Sequence, residues 1–237
     1  MTLLPQAVSE IVTGIENTTI LIYGRAKIGK STLASKFPNP IFLATEAGLR
    51  YIQCNKTNIT SWEAFLDVCA ELAEGKHEYK TIVIDTIDNL ATYCADFVLR
   101  DFNERVSEKD KVVHIADIPH GKGWMKVTYE LDRVLSKVAG MPYGLVMISH
   151  SDVEKVETKS SKYDRMSISI TGKGSKHLFL NMSDIILFID SDVKGGVEER
   201  VIRTKPSRDY EAGDRSGKLP ATIGLDYNEL EKYLKGE

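Results

Sequence analysis

The residues best equipped for chemistry lie between positions 24 and 32. GRAKIGKS fits the spacing G-x-x-x-x-G-K-[ST], with Gly24, Gly29, Lys30 and Ser31 at the fixed positions. Glycines let backbone amides approach a phosphate closely. A lysine here reaches the β and γ phosphates, the next hydroxyl ligates magnesium, and a following helix adds unpaired N–H groups and a positive dipole end. The expected segment for ATP with Mg2+ is therefore Gly24, Arg25, Ala26, Lys27, Ile28, Gly29, Lys30, Ser31 and Thr32.

Three more residues complete that chemistry. Asp85 follows the apolar run TIVI, at the carboxyl end of a buried strand, where ligands of open α/β sheets gather. With Ser31 it is expected to hold the metal, usually through water. The plainer role for Asp85 is a helix cap, and nearby Asp88 reads as that cap or a surface charge. Glu46, in IFLATEAGL, opens onto the same edge and is placed to polarise an attacking water. His150 ends LVMIS and is placed to hydrogen-bond the γ phosphate or that water, unless it is simply a satisfied strand-end histidine. Lys30, Glu46 and His150 are the catalytic candidates. Tyr51 and Tyr210 are candidates for packing on adenine, against the commoner reading of core or surface tyrosines. His77, His114, His120 and His177 show no metal-ligand spacing.

These residues must be positioned by strands alternating with helices, the pattern of a mostly parallel sheet flanked by helices. Thr19–Tyr23, Pro40–Ala44, Thr81–Ile84 and Leu145–Ser149 read as strands. Lys30–Phe37, a stretch capped by Ser61, Leu90–Arg100 and Trp124–Ala139 read as helices. Ile185–Asp190 and Glu199–Thr204 read as late strands around a Lys194–Gly195–Gly196 turn, and Asn228–Leu234 as a closing helix. The remainder reads as an insertion at 101–122, a mobile polar loop at 152–177 and a C-terminal tail from 206 that is loop-like to 219. One domain over 1–237 is expected.

The 237 residues are 42% hydrophobic and 27% charged, with net charge −3, so any contact with nucleic acid must come from a local patch. Cys54, Cys69 and Cys94 are too scattered for a zinc site or disulfide framework and read as small core hydrophobes in a reducing cytosol. The opening MTLLPQAVSEIVTG has no leader pattern, and no run is long enough to span a bilayer, so a soluble cytoplasmic protein without membrane partners is expected.

The order of parts, with a glutamate after the strand following the phosphate loop and Thr86 rather than Glu beside Asp85, resembles the RecA-like branch of P-loop ATPases. IYGRAKIGKST, FLATEAGL, TIVIDTIDNL, HGKGW, LVMISH and RDYEAGDRSGKLP together resemble phage-encoded AAA-type ATP-binding proteins related to core-only single-strand annealing recombinases, over about residues 17–226. HGKGW and DRSGKLP carry resemblance without a derivable chemistry. The resemblance implies ATP-dependent or ATP-regulated recombination, single-stranded DNA binding, self-association as ring or filament, and residence in the host cytoplasm. It gives Lys30, Ser31, Glu46 and Asp85 their ATP-site roles and sets His150 where RecA carries a glutamine that senses the γ phosphate. It also implies DNA contacts from the loop after the fourth strand. There Lys155, Lys159, Lys162, Arg165, Lys173 and Lys176 face Glu154, Glu157 and Asp164, a balance of 6 − 3 = +3, with Tyr163 able to stack on a base. Arg203 and Lys205 fall where basic residues of such assemblies reach a neighbour's γ phosphate, with Arg208 and Arg215 as weaker choices.

The first expected function is an ATPase acting on single-stranded DNA in phage recombination or replication. The alternative is a nucleotide-switched module that loads or regulates a helicase or other replication protein. A small-molecule kinase would need an acceptor pocket and basic lid, and 101–122 gives no such signal.

Overall fold

The computed structural model describes residues 15–159 and 161–236; the reading of the first 14 residues lies outside them. The chain enters through β1 (Thr19–Gly24), buried along its length, then the phosphate loop and the short helix α1 (Lys30–Ala34). There follow β2 (Pro40–Ala44), β3 (Asn55–Asn58), α2 (Trp62–Ala73), β4 (Thr81–Asp85) and α3 (Ile87–Glu104). Three single-turn 3₁₀ segments lead to α4 (Lys122–Ala139), β5 (Gly144–Glu157), β6 (Lys162–Ile168) and α5 (Lys173–Met182). The chain closes with β7 (Ile185–Lys194), β8 (Val197–Arg203), β9 (Gly213–Asp214), β10 (Thr222–Gly224) and α6 (Tyr227–Lys235).

The sheet order is β10-β8-β7-β1-β5-β4-β2-β3. From β3 to β7 every pair is parallel, while β8, β9 and β10 add antiparallel pairs. This is the expected α/β architecture, a mostly parallel central sheet flanked by helices. Alternate residues of each strand enter opposite layers. Leu21, Tyr23, Ile82, Ile84 and Met147 pack on α2, α3 and α4. Ile20, Ile22, Val83, Val146 and Ile148 pack on Leu33, Phe37 and the α6 residues Leu230 and Leu234. The apolar stripe read on α4 is the buried one: Val127, Leu131, Val134, Leu135 and Val138.

Several readings change. The helix after the phosphate loop ends at Ala34 rather than Phe37, closing through turn bonds from Lys36 N to Leu33 O and Phe37 N to Ala34 O. The helix placed at Leu90–Arg100 is longer, Ile87–Glu104, and the one capped by Ser61 is confirmed, with Ser61 Oγ accepting from Ala64 N at 3.2 Å. The segment read as a mobile loop, 152–177, is an antiparallel hairpin followed by a helix: β5 continues past the sheet and pairs with β6 from Ser151↔Ile168 to Glu157↔Lys162. Its backbone is satisfied by that ladder, while most of its side chains are polar, so no apolar run announces it.

The two unexplained motifs prove to be joints. In HGKGW, Gly123, in the first turn of α4, is pressed on the 115 backbone, where a Cβ would stand 1.9 Å from Ile115 O. In DRSGKLP, Asp214 accepts from Ser216 N, Ser216 Oγ and Leu219 N, and Arg215 bonds Asp184 at 3.0 Å. That stitches the tail to the end of α5 and the start of β7.

Candidate nucleotide site

Parallel register brings the sequence-predicted residues to one edge. Gly24 lies beside His150, Ala44 beside Asp85, and Asp85 beside Ile148, so Lys30 at the start of α1, Glu46 just beyond β2 and His150 on β5 gather at the same edge. Thr45 fixes that edge. Its N–H donates to Asp85 O at 2.8 Å, its hydroxyl donates to Thr86 O at 2.9 Å, and Thr86 N donates back to that hydroxyl at 2.8 Å. Glu46 therefore projects from a residue locked to the Asp85 strand. Thr45 carries no sequence signal of its own.

The phosphate loop is held by its glycines and its lysine. Gly29 has φ +118, a region that side-chain-bearing residues rarely adopt. Lys30 is buried, and its Nζ donates to Gly24 O at 2.8 Å and Arg25 O at 3.0 Å, so the ammonium organises the loop backbone around itself. Burial pushes its pKa down, opposed by the charges of Asp85, Asp88 and Glu46. Ser31 Oγ donates to Asp85 Oδ2 at 2.7 Å. The other oxygen, Asp85 Oδ1, is buried with no hydrogen-bond partner. A buried carboxylate oxygen left unmatched is costly, and burial indeed pushes the Asp85 pKa up. A divalent cation beside Ser31 and Asp85 is the partner that this donor set fits.

His150 sits between the charges. Its Nδ1 lies 3.5 Å from Lys30 Nζ and its Nε2 3.6 Å from Glu46 Oε2. Asp88 corrects a reading: it is neither cap nor surface charge. Its carboxylate accepts from Ser149 Oγ at 2.8 Å and from His150 N at 3.1 Å, tying α3 to β5, and burial pushes its pKa up. Its place in the first turn of a helix that follows a strand-end aspartate is the available signal.

Residues 16–216 match the AAA domain family. The chain belongs to that family. This AAA domain is 28% identical over 201 residues to the SPbeta prophage-derived uncharacterized protein YorG of Bacillus subtilis (strain 168), covering 81% of the chain and 55% of that protein; it thus spans about half the length of that relative. A KaiC-like protein, PH0186, from the archaeon Pyrococcus horikoshii OT3 aligns over 83% of this chain and 81% of its own, with TM-score 0.45 and 15% identity. Among the described residues, no helix of the AAA domain is long and apolar enough to cross a membrane, and no three or more His, Cys, Asp and Glu residues gather as a metal-holding group.

The remaining candidates of the AAA domain lie elsewhere. Arg203 is engaged within its own chain by Asp192 and by Asp190 at 3.6 Å, and Lys205 by Asp214 at 3.2 Å. On the hairpin, Lys162 pairs with Glu157 at 2.6 Å, and Arg165 with Glu154 at 3.1 Å and Glu211 at 2.6 Å. Lys176 lies 4.0 Å from Glu154, and Lys155 stands opposite Asp164 in the register. Lys155, Lys159 and Lys173 are exposed. Tyr163 carries the Arg208 guanidinium over one face at 4.5 Å. Tyr210 is half-buried and packs on Phe188 at 5.3 Å, against the core, whereas Tyr51 is fully exposed.

Proposed function

We propose that this AAA domain binds ATP with Mg2+ at the phosphate loop, hydrolyses it, and uses the cycle on single-stranded DNA in phage recombination or replication. The observation that carries the ATPase half is the Ser31–Asp85 bond with Asp85 Oδ1 left unmatched beside a buried Lys30. Ser31 and Asp85 would hold the ion, which when bound neutralises charge on the phosphates. Lys30 would exchange its carbonyl contacts for phosphate oxygens. Glu46 would accept a proton from the attacking water. His150, between Lys30 and Glu46, would register the γ phosphate.

The DNA half rests on β5, one continuous strand that carries His150 at the nucleotide edge and Lys155 on the hairpin. Lys155, Lys159 and Lys173 would contact phosphates first, with Lys162, Arg165 and Lys176 exchanging carboxylates for DNA and Tyr163 stacking on a base. Self-association into a ring or filament in the host cytoplasm would place Arg203 or Lys205 at a neighbour's nucleotide, after release from their own carboxylates. The second reading, a nucleotide-switched module for a replication protein, is favoured by one observation: cross-strand pairing neutralises much of the hairpin. ATP turnover measured with and without single-stranded DNA across a salt series separates the two. Salt-sensitive stimulation supports DNA as the partner; turnover indifferent to DNA, with no salt-sensitive binding, rejects it.

A further inference from the structure

The HGKGW joint also builds a cavity. Beside α3 and the start of α4 lies a space of about 550 Å3, within the range of about 300–1,000 Å3 usual for ligand sites. The α3 wall presents Asp88, Asn89, Ala91, Ala95 and Asp96, and the two alanines leave room. Segment 113–116 forms another wall, and Trp124 and Ser169 add to the lining. Gly123 seats that second wall, since no side chain would fit between it and Ile115 O. Gly172 does the same for the indole: a Cβ there would lie 2.8 Å from Trp124 Cε3. From Trp124 a second groove of about 530 Å3 runs along α4 and α5, past Met125, Tyr129, Asp132 and Leu178. Val113, Met125 and Tyr129 are 78%, 62% and 70% exposed, so this surface presents apolar groups to water.

We propose that the cavity and its groove take a short segment of a partner polypeptide, one that carries an arginine or lysine flanked by apolar side chains. The inference deepens the second reading above, a nucleotide-switched module for another protein, and rests on it for the link to ATP. Charge complementarity names the occupant. Asp88, Asp96 and Asp132 line the two spaces, and no lysine or arginine is among the lining residues. Such a lining repels a phosphodiester chain, whereas a guanidinium gains from the carboxylates and from the face of Trp124. The exposed apolar side chains suit the neighbours of that cation. The link to ATP is the α3 wall itself. Asn89 Nδ2 and the Tyr93 hydroxyl both donate to Thr45 O at 3.3 Å, the carbonyl just before Glu46. Asp88 accepts from Ser149 Oγ and from His150 N. A helix in a switching protein shifts as a unit, by about 1–2 Å. An occupant seated against α3 therefore moves Glu46 and His150 together.

The probe is a library of random short peptides displayed on phage and panned on the full chain. Enriched peptides are synthesised with a fluorophore and titrated by anisotropy. Asp96 and Val113 are exposed, so Asp96→Lys and Val113→Lys put a cation into the cavity without disturbing the core; thermal melts check both. The enriched peptides are expected to carry arginine or lysine beside apolar residues. Each variant should weaken their binding by about tenfold or more, and saturating peptide should change ATP turnover of the parent by about twofold or more. Enriched peptides without a cation, equal affinity in parent and variants, or turnover indifferent to bound peptide would overturn the proposal. So would an oligodeoxythymidylate that displaces the peptide and binds Asp96→Lys more tightly, since nucleic acid would then be the occupant. If the parent turns over no ATP, the nucleotide reading fails, and the peptide affinities still decide the cavity.

Discussion

At the carboxyl edge of β1, β4 and β5 the decisive charged groups are few and buried: Lys30 among carbonyls, Asp85 with one oxygen unmatched, Asp88 holding β5. On the β5–β6 hairpin, a few residues further along the same β5, charged groups are numerous and mostly exposed, and several are matched across the register. The first region holds electrostatic potential that water does not screen and that the protein's own groups leave incompletely satisfied. The second is largely self-neutralised, and its exposed pairs contribute only about 0.2–1 kcal/mol each. The contrast teaches that the buried edge is built to take a small, highly charged ligand. Any partner of the hairpin must compete with pairs already made.

Substitutions at the buried edge should have the largest effects. Lys30→Ala or Asp85→Asn is expected to lower ATP turnover about a thousandfold, read by phosphate release. Glu46→Gln should lower turnover about 10²–10⁴-fold while ATP still binds, so a retained rate would remove Glu46 from the chemistry. Asp88→Ala leaves the Ser149 hydroxyl and the His150 amide without their acceptor. It should cost about 1–3 kcal/mol in chemical denaturation, and a silent change would show that this tie is not needed.

The hairpin should respond by small, additive steps. Lys159→Ala and Lys173→Ala are each expected to reduce the slope of log affinity for single-stranded DNA against log salt by about 0.7. Lys162→Ala, already paired with Glu157, should change it less. Equal effects from all three would erase the distinction between free and paired cations.

A smaller effect concerns pH. Burial pushes the Cys69 thiol up from 9.0 to about 12 and raises Tyr23 as well, whose hydroxyl donates to Met166 O and Glu211 O. With folded values above unfolded ones, these groups contribute fully below pH about 9 and lose that contribution as pH rises toward 12. The denaturation midpoint should therefore fall between pH 7 and about 10.5, and Cys69→Ala should flatten part of that fall.

The same contrast explains what could be read from sequence. Buried parallel strands are continuous apolar runs, so TIVID and LVMIS stood out, and with them Asp85 and His150. The phosphate loop has fixed spacing because each of its residues has a chemical task. β3, with sequence NKTN, is a polar edge strand and carries no such run. KYDRMSI forms β6 only because β5 extends to pair with it, a tertiary cause that the local pattern does not encode. Thr45 and Asp88 act through hydrogen bonds to residues distant in sequence, and the cleft beside the phosphate loop joins residues near 30 to residues near 200 and 225. These partners become visible only once the chain is folded.

The account stands or falls on the buried edge taking a nucleoside triphosphate. Equilibrium dialysis of the purified, folded chain against ATP with excess magnesium, alongside Lys30→Ala, measures this directly. The parent should bind one ATP per chain and the variant should lose most of that affinity. No uptake by the parent, or equal uptake by both, would contradict the account.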